Sequence, residues 1–249
     1  MSRQSFDAVA GGYDAARPDY PAGLYDGIES ALGKPLLGAD VVDIGAGTGI
    51  ASRALAGRGA RVIAVDQGPR VLAVLLARST SRVAPVVGDG NALPLRSASF
   101  DLAAYAQSWH WADPARSLPE AARVLRDRGV LAIWWNVMLV EAERWWQDFG
   151  AAAERLNPGH HREWREFDCS ASLERSGLFA WVHGIEVPWT RTVAPDGLVA
   201  DYATHSYVAA LAPPEQAELL EVLRTGLRAV YGGGPADLPY VTRLWIARR

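Results

Sequence analysis

The chain has 249 residues, 49% of them hydrophobic, and a formal net charge of -3 at pH 7. This length and apolar content allow a large buried core, as is typical of a globular protein. With a single lysine, Lys34, and no basic tract, the composition disfavours nucleic acid and membrane surfaces as partners. The lone Cys169 excludes an internal disulfide and a cysteine-based metal site, and neither a signal-peptide pattern nor a membrane-spanning apolar run is recognised. We therefore expect a cytoplasmic protein.

Short apolar runs alternate with longer helix-like segments between Asp40 and Asn136. A proline-interrupted stretch and a helical segment at 24–32 precede this region. The alternation is the pattern of parallel strands that are joined by crossover helices. Strands are predicted at 41–44, 61–65, 84–87, 101–106 and 130–135, and covering helices at 50–56, 69–78 and 114–126.

After Asn136 the regular alternation stops. Neither an internal repeat nor a low-complexity linker divides the chain, so we predict a single domain of residues 1–249. The later elements are predicted as a helix at 141–161, a strand-like segment at 179–193, a helix that opens at Pro195 and carries His205 to Tyr207, a helix that begins at Pro213, and a closing edge or near-edge strand at 240–249.

The stretch "VVDIGAGTGI" ends an apolar run with an acid and three alternating glycines, Gly45, Gly47 and Gly49. Glycine permits positive φ angles and leaves no side chain between the backbone and a ligand. The dinucleotide fingerprint requires a glycine at position 50, where this chain has Ile50, so the pattern is D-x-G-x-G-x-G instead. Asp66 ends the next predicted strand, where a carboxylate can accept hydrogen bonds from both hydroxyls of a ribose.

The motifs "VVDIGAGTG", "GDGNALPL" and "SFDLAAYAQSWHWADP", together with Asp66, resemble the class I S-adenosylmethionine-dependent methyltransferases in order and spacing. The resemblance covers most of the chain. It implies an α/β fold with a Rossmann-like, seven-stranded, mostly parallel sheet, helices on both faces and a lid over the active site. It further implies S-adenosylmethionine as cofactor and S-adenosylhomocysteine as product. The methionine end is expected at 45–49, the ribose at Asp66 and the adenine near Asp89 beside Gln67, and Asp43 helps to hold the cofactor's amino group, directly or through water.

The stretches "FDAVAGGYDAARPDYP", "QSWHWADP", "WWN" and "YATHSYVAAL" look like a subgroup of small-molecule methyltransferases related to trans-aconitate methyltransferase. The chain departs from that pattern at "LRDRGVL", where most relatives carry a proline and two glycines in a turn remote from the cofactor. Together the two resemblances imply cofactor contacts from Tyr13, Arg17, Asp43, Gly45, Ala46, Gly47, Gly49, Asp66, Gln67, Asp89, Gly90, Asn91, Ala106 and Gln107.

His110 stands between two tryptophans after the fourth predicted strand, in a loop that faces the transferred methyl group in this fold. A histidine there is a candidate base, since its ordinary pKa suits proton removal near neutrality; the alternative is a histidine that serves only in packing or hydrogen bonding. No metal is expected, because the adjacent His160 and His161 cannot share one helix face. Substrate contacts are predicted from Tyr20, Trp109, Trp111, Asn136, His205 and Tyr207.

Three functions are consistent with the sequence. The leading hypothesis is methyl transfer to the oxygen, nitrogen or carbon of a small, apolar or aromatic molecule, such as a natural-product intermediate. The others are a protein that binds the cofactor without transfer, in a structural or cyclising role, and a nicotinamide oxidoreductase, against which Ile50 counts. The predicted organisation is an N-terminal strap at 1–35, a cofactor-binding core at 36–136, a lid and substrate region at 137–235 and a closing strand at 236–249.

Overall fold

A computed structural model describes residues 17–159 and 168–249. The strands are β1 (Asp40–Ile44), β2 (Arg61–Asp66), β3 (Val83–Val87), β4 (Phe100–Ala106), β5 (Leu125–Met138), β6 (Ala180–Val193) and β7 (Ala236–Arg248). The helices are α1 (Ala22–Leu32), α2 (Ile50–Gly57), α3 (Pro69–Arg78), α4 (Pro114–Val124), α5 (Arg144–Leu156), α6 (Ser170–Ser176), α7 (Pro195–Ala203), α8 (Ser206–Ala209) and α9 (Pro213–Tyr231).

These strands form one seven-stranded sheet in the order β3-β2-β1-β4-β5-β7-β6. Strand β1 pairs in parallel with β2 on one side and with β4 on the other, β2 pairs in parallel with β3, and β4 with β5. The strand order therefore reverses at β1. In open α/β sheets, ligands bind beyond the carboxyl ends of the strands at such a reversal. The predicted Rossmann-like sheet is confirmed, and the lid stays a prediction.

By the density of its internal contacts, the described chain divides into two compact units. The first unit takes in residues 19–136, 168–187 and 242–249. Its central strands β1, β2 and β4 are mostly buried toward both faces, as is typical of a parallel sheet that helices cover. One core cluster unites Ile28 of α1, Leu55 of α2 and Leu75 of α3 with Val41 and Leu102 of the sheet, all fully buried. The pattern of short apolar runs thus reflects burial on both sides.

The second unit takes in residues 137–159 and 188–241, together with the described residues before 19. Its core joins α5, α7 and α9, with Phe149 and Leu223 fully buried. The ring of Trp146 stacks on Phe149 at 5.4 Å between centroids. Gly226 lets α9 approach α5 closely, because an added Cβ there would lie 2.6 Å from Trp145 Cβ.

Several predicted boundaries are wrong. Helix α4 ends at Val124, and β5 begins at Leu125 rather than at position 130. Between its pairings at Leu125 and Val130 the strand bulges, with Arg128 at φ 63°, so the first part of the strand carries polar residues. Helix α5 begins at Arg144 rather than at 141 and ends at Leu156, and positions 160 and 161 lie outside the described residues.

The predicted helix from Pro195 through Tyr207 is also wrong, since the structure divides it into α7 and α8. His205 is the residue that precedes α8 rather than part of a continuous helix. The Thr204 hydroxyl donates to the Asp201 carbonyl at 2.6 Å, and His205 N donates to the Tyr202 carbonyl, so the chain turns without a proline or a glycine.

Within the described ranges, no helix combines the length and the hydropathy that crossing a bilayer requires. The same residues contain no group of three or more histidine, cysteine, aspartate or glutamate side chains arranged to hold a metal ion. His160 and His161, considered above for that role, lie outside them.

Candidate functional site

The glycine loop directly follows β1 and is tied to the neighbouring strand. Gly45 N and Ala46 N both donate to the Val65 carbonyl, at 2.8 and 3.0 Å. Gly45 has φ 72°, and an added Cβ would lie 2.6 Å from Ser108 Cβ, so only glycine fits there. Gly47 has φ 55° with nothing within 4 Å of an added Cβ. The loop therefore leaves open space above its backbone at Gly47, as a site for a close-fitting ligand requires.

Asp43, on β1, is fully buried beneath this loop. Its Oδ2 accepts the Ser52 hydroxyl at 2.6 Å, and its Oδ1 has no hydrogen-bond partner among the described residues. Burial raises the pKa of this carboxyl to about 6; the Ser52 bond lowers it, and the charge of Asp66 raises it further. A buried carboxylate oxygen without a donor is costly, so this one fits a ligand that brings a cationic donor.

Asp66 ends β2 and faces the same loop. Its Oδ2 accepts Gly47 N at 2.9 Å, and its Oδ1 accepts Gly68 N at 2.8 Å. A carboxylate offers about four acceptor positions, so each oxygen retains capacity for a further donor. The two backbone bonds fix the direction of the carboxylate, and the remaining capacity suits a pair of hydroxyl groups.

Asp89 follows β3 in a tight turn. Its Oδ1 accepts three hydrogen bonds, from Gln67 Nε2 at 3.0 Å, Asn91 N at 2.9 Å and Asn91 Nδ2 at 3.0 Å. Within the described part of the chain, no hydrogen bond reaches Oδ2. Gly90 permits the turn to pack on β1, because an added Cβ would lie 2.8 Å from Ile44 Cγ2. One oxygen of Asp89 is thus held by the protein and the other can accept from a ligand.

The chain beyond β4 is strained where it leaves the sheet. Gln107, after the half-buried Ala106, has φ 58°, which is unusual for a residue with a side chain, and its N–H donates to the Trp134 carbonyl at 2.9 Å. Ser108 Oγ donates to the Ile44 carbonyl at 2.6 Å. The segment after β4 is thereby joined both to β5 and to the end of β1.

A single turn of 3-10 helix, Trp109–Trp111, presents His110. Its ring lies 4.8 Å from Trp111 and 6.5 Å from Trp135 between centroids. His110 is exposed by surface area, yet the protein crowded around it desolvates the imidazole and lowers its pKa to about 4. Solvent access limits this effect, but even the ordinary pKa near 6.5 leaves the ring mostly neutral at pH 7. His110 is therefore a neutral imidazole among tryptophans.

The other aromatic candidates of the first unit are placed by packing. Trp109 is buried and meets Tyr105 edge to face at 4.9 Å, whereas Trp111 is 54% exposed. Tyr20 packs edge to face on Trp134 at 5.7 Å. Asn136, also predicted as a substrate contact, donates to the Asp19 carbonyl at 3.2 Å and accepts from the Thr242 hydroxyl at 2.6 Å. Its amide is therefore engaged with the protein.

Three further predicted residues, Arg17, His205 and Tyr207, belong to the second unit, where Arg17 and His205 contact Asp201. Arg17 Nε lies 3.3 Å from Asp201 Oδ1, and His205 Nε2 lies 3.5 Å from the same oxygen. The ring of His205 lies 5.8 Å from that of Tyr207, and Arg191 also pairs with Asp201. These charged partners lower the pKa of Asp201, although burial opposes them. Tyr13 lies outside the described residues.

Sequence reasoning missed Asp201 and Arg191 as well as the Ser52 partner of Asp43. An acid within the otherwise apolar stretch "GLVADYA" was a visible signal for Asp201. Ser52 and Arg191 belong to no sequence motif, and their importance is visible only from their contacts with Asp43 and Asp201 in the fold.

Residues 42–133 match the methyltransferase domain family. An uncharacterized methyltransferase of Mycobacterium tuberculosis is 34% identical over 244 residues, which cover 96% of this chain and 93% of the relative. The chain belongs to the class I S-adenosylmethionine-dependent methyltransferases. S-adenosylmethionine is therefore its cofactor, and the nicotinamide alternative is set aside. A demethylmenaquinone methyltransferase of Corynebacterium kroppenstedtii is 34% identical over 132 residues, 51% of this methyltransferase and 56% of that protein.

Solved structures share the fold. A structure described as a type II methyltransferase from Anaeromyxobacter dehalogenans has a TM-score of 0.65 and 26% identity, and the match covers 93% of this chain and 97% of that one. A Haemonchus contortus phosphoethanolamine N-methyltransferase, solved with S-adenosylhomocysteine, has a TM-score of 0.57 at 17% identity over 99% of this chain and 58% of that one. The second likeness concerns the fold alone.

Proposed function

We propose that this methyltransferase transfers the methyl group of S-adenosylmethionine to a small, apolar or aromatic molecule, such as a natural-product intermediate. The observation that carries the proposal is a row of three carboxylates at the carboxyl ends of three parallel strands. Asp43 lies near the end of β1, Asp66 ends β2 and Asp89 follows β3. Each can accept further hydrogen bonds beyond those that the described residues donate. A ligand with an ammonium group, a pair of hydroxyls and an aromatic amino group complements that row.

Each carboxylate takes one part of the cofactor in this proposal. Asp43 Oδ1 accepts from the ammonium group, Asp66 from the ribose hydroxyls and Asp89 Oδ2 from the adenine amino group. The proposed set of cofactor contacts is Tyr13, Arg17, Asp43, Gly45, Ala46, Gly47, Gly49, Asp66, Gln67, Asp89, Gly90, Ala106 and Gln107, with Asn91 acting through the Asp89 carboxylate that it holds. Charge-assisted hydrogen bonds of this kind are among the stronger contacts a protein offers.

The bound cofactor supplies a methyl group that its sulfonium already activates. The protein's task is to align the acceptor atom opposite the sulfur, to exclude water and to accept a proton where the acceptor must lose one. In the proposal His110 accepts that proton. A neutral imidazole of low pKa is a weak base, but an oxygen or nitrogen that is gaining a methyl group becomes strongly acidic, so a weak base suffices.

The chemistry of the proposed acceptor follows from the side chains nearest His110. Trp111 is 54% exposed and offers apolar surface beside His110, and the neighbouring Trp109 and Trp135 are buried and carry no charge. Such surroundings favour a compact apolar or aromatic molecule over a phosphorylated or polyanionic one. The proposed acceptor contacts are Tyr20, Trp109, Trp111, Asn136, His205 and Tyr207.

The proposal is tested by measuring S-adenosylhomocysteine release with matched pairs of acceptors, for example phenols and the same rings bearing a phosphate group. Release with the uncharged member of a pair and not with the phosphorylated one supports it. Preference for the phosphorylated members, with the Asp66→Ala variant as a background control, overturns the acceptor class but leaves the cofactor assignment standing.

A further inference from the structure

We infer that Asn91 is a positioning residue that couples the occupied cofactor site to the loop at 107–113, which carries His110. The inference rests on the proposed role of Asp89 in holding the cofactor. Asn91 lies between β3 and β4, and its single amide group contacts Asp89 on one side and the start of α4 on the other. Such a residue can transmit the state of one site to the other.

On the cofactor side, Asn91 fixes the carboxylate of Asp89. Asn91 N and Asn91 Nδ2 both donate to Asp89 Oδ1, at 2.9 and 3.0 Å, and Gln67 Nε2 donates to the same oxygen at 3.0 Å. With three donors on one oxygen, the carboxylate cannot rotate without losing hydrogen bonds. The position of Oδ2, which accepts from the cofactor in the proposed function, therefore depends on Asn91.

On the acceptor side, Asn91 holds the end of the loop. Its Oδ1 accepts Asp113 N at 2.9 Å and lies 2.9 Å from the Ser117 hydroxyl. Asp113 caps α4, since its carboxylate accepts Ala115 N at 3.0 Å, and it stands two residues after the turn Trp109–Trp111. Loss of the Asn91 contact would release the segment that presents His110.

The two sets of contacts meet in one planar amide, so ordering one side orders the other. A cofactor that binds Asp89 Oδ2 restrains the carboxylate and, through Asn91, the loop. Coupling of binding free energies is reciprocal, so an acceptor that binds the ordered loop also strengthens cofactor binding. We therefore expect each ligand to bind more tightly when the other is bound.

Glu120 provides a matched control. Its Oε2 accepts Leu93 N at 2.7 Å, which joins the same β3–β4 segment to the same helix α4 without contact to Asp89. If Asn91 merely fastened the segment to the helix, removal of either side chain would have the same effect on cofactor binding.

The experiment is amide hydrogen exchange of wild type, Asn91→Ala and Glu120→Ala with and without saturating S-adenosylhomocysteine, together with calorimetric dissociation constants. In wild type the ligand slows exchange at 107–117. In Asn91→Ala it binds about 3- to 10-fold more weakly and no longer slows exchange there, since a hydrogen bond of this type contributes about 0.5–1.5 kcal/mol. Glu120→Ala retains both the slowing and the wild-type affinity.

The inference is overturned if Asn91→Ala keeps the slowing at 107–117, or if Glu120→Ala loses it equally. If Asn91→Ala does not fold, the Ser117→Ala variant takes its place, because it removes one contact of Asn91 Oδ1 and keeps the contacts of Asn91 with Asp89. The inference then requires that the ligand slows exchange at 107–117 less in Ser117→Ala than in wild type. If the ligand slows amide exchange of wild type at 43–49 and 66–68 but not at 107–117, the coupling is overturned and the cofactor assignment stands. If the ligand slows exchange at none of these segments in wild type, the cofactor assignment itself fails.

Discussion

Asp43 is the fully buried carboxylate of the row, and burial raises its pKa to about 6. In the proposed site, Asp43 pairs with the cofactor's ammonium group in its ionised form. Affinity for S-adenosylhomocysteine should therefore fall as the pH drops through 6, by about tenfold between pH 7.5 and pH 5. Titration calorimetry at both pH values measures this directly.

The Asp43→Asn variant is the control, since it keeps an acceptor for Ser52 and has no proton to gain. Its affinity should be weak and the same at both pH values. The raised pKa has the opposite effect on folding: the folded form binds the proton more tightly than the unfolded chain, whose value is 3.8, so this group contributes more stability below pH 3.8 than above pH 6. An affinity that does not change with pH in wild type would contradict the role of Asp43.

His110 tests whether a base takes part in the reaction. If His110 accepts the proton, the His110→Ala variant should have a turnover lower by ~10²-fold or more and a nearly unchanged cofactor affinity. Because desolvation lowers its pKa below the ordinary value near 6.5, any inflection that His110 imposes on the wild-type rate should lie below pH 6.5. Turnover and S-adenosylhomocysteine affinity are measured on one preparation. Wild-type turnover in the folded variant removes His110 from the mechanism.

At the scale of elements, the contact between α5 and α9 depends on a single missing side chain. An alanine Cβ at position 226 would lie 2.6 Å from Trp145 Cβ and 3.3 Å from its Cα, so the two helices must separate. Gly226→Ala should therefore lower the free energy of unfolding by about 1–3 kcal/mol, even though alanine favours a helix. Gly150 of α5 has nothing within 4 Å, so Gly150→Ala is the matched control and should be neutral or stabilising by up to about 1 kcal/mol. Urea denaturation measures the free energy of unfolding of both variants, and equal values for the two would contradict this account.

The sequence predicted well the elements in which buried apolar residues form a regular pattern along the chain. Strands β1, β2 and β4 are buried on both faces and appear as apolar runs bounded by turn residues. The start of β5 was missed because its bulge carries "RDR", which satisfies no strand pattern. The break before α8 was missed because the side chain of Thr204, rather than a glycine or a proline, ends α7.

The same distinction applies to the candidate site. The glycine loop and Asp66 lie in a contiguous motif whose spacing alone points to a nucleoside ligand. The double contact of Asn91 and the pairing of Arg17 with Asp201 join segments that are 22 and 184 residues apart, and no local pattern reports them. Sequence therefore predicts where the backbone must be shaped, and structure is needed to see which side chains meet.

For the molecule as a whole, a ligand that binds only the folded chain raises its stability by an amount set by concentration and affinity. S-adenosylhomocysteine at 100 times its dissociation constant should add about 2.7 kcal/mol, which for a chain of this size raises the melting temperature by roughly 5–10 °C. Asp66→Ala, with affinity reduced about tenfold by loss of a charge-assisted bond, should show about half that shift at the same concentration. The exposed Asp127, which lies in the β5 bulge, offers a control substitution, and Asp127→Ala should retain the full shift. Differential scanning fluorimetry of the three proteins with S-adenosylhomocysteine measures these shifts in melting temperature, and the same measurement with NAD compares the two cofactor classes. Equal shifts of Asp66→Ala and wild type with S-adenosylhomocysteine would remove Asp66 from the cofactor site.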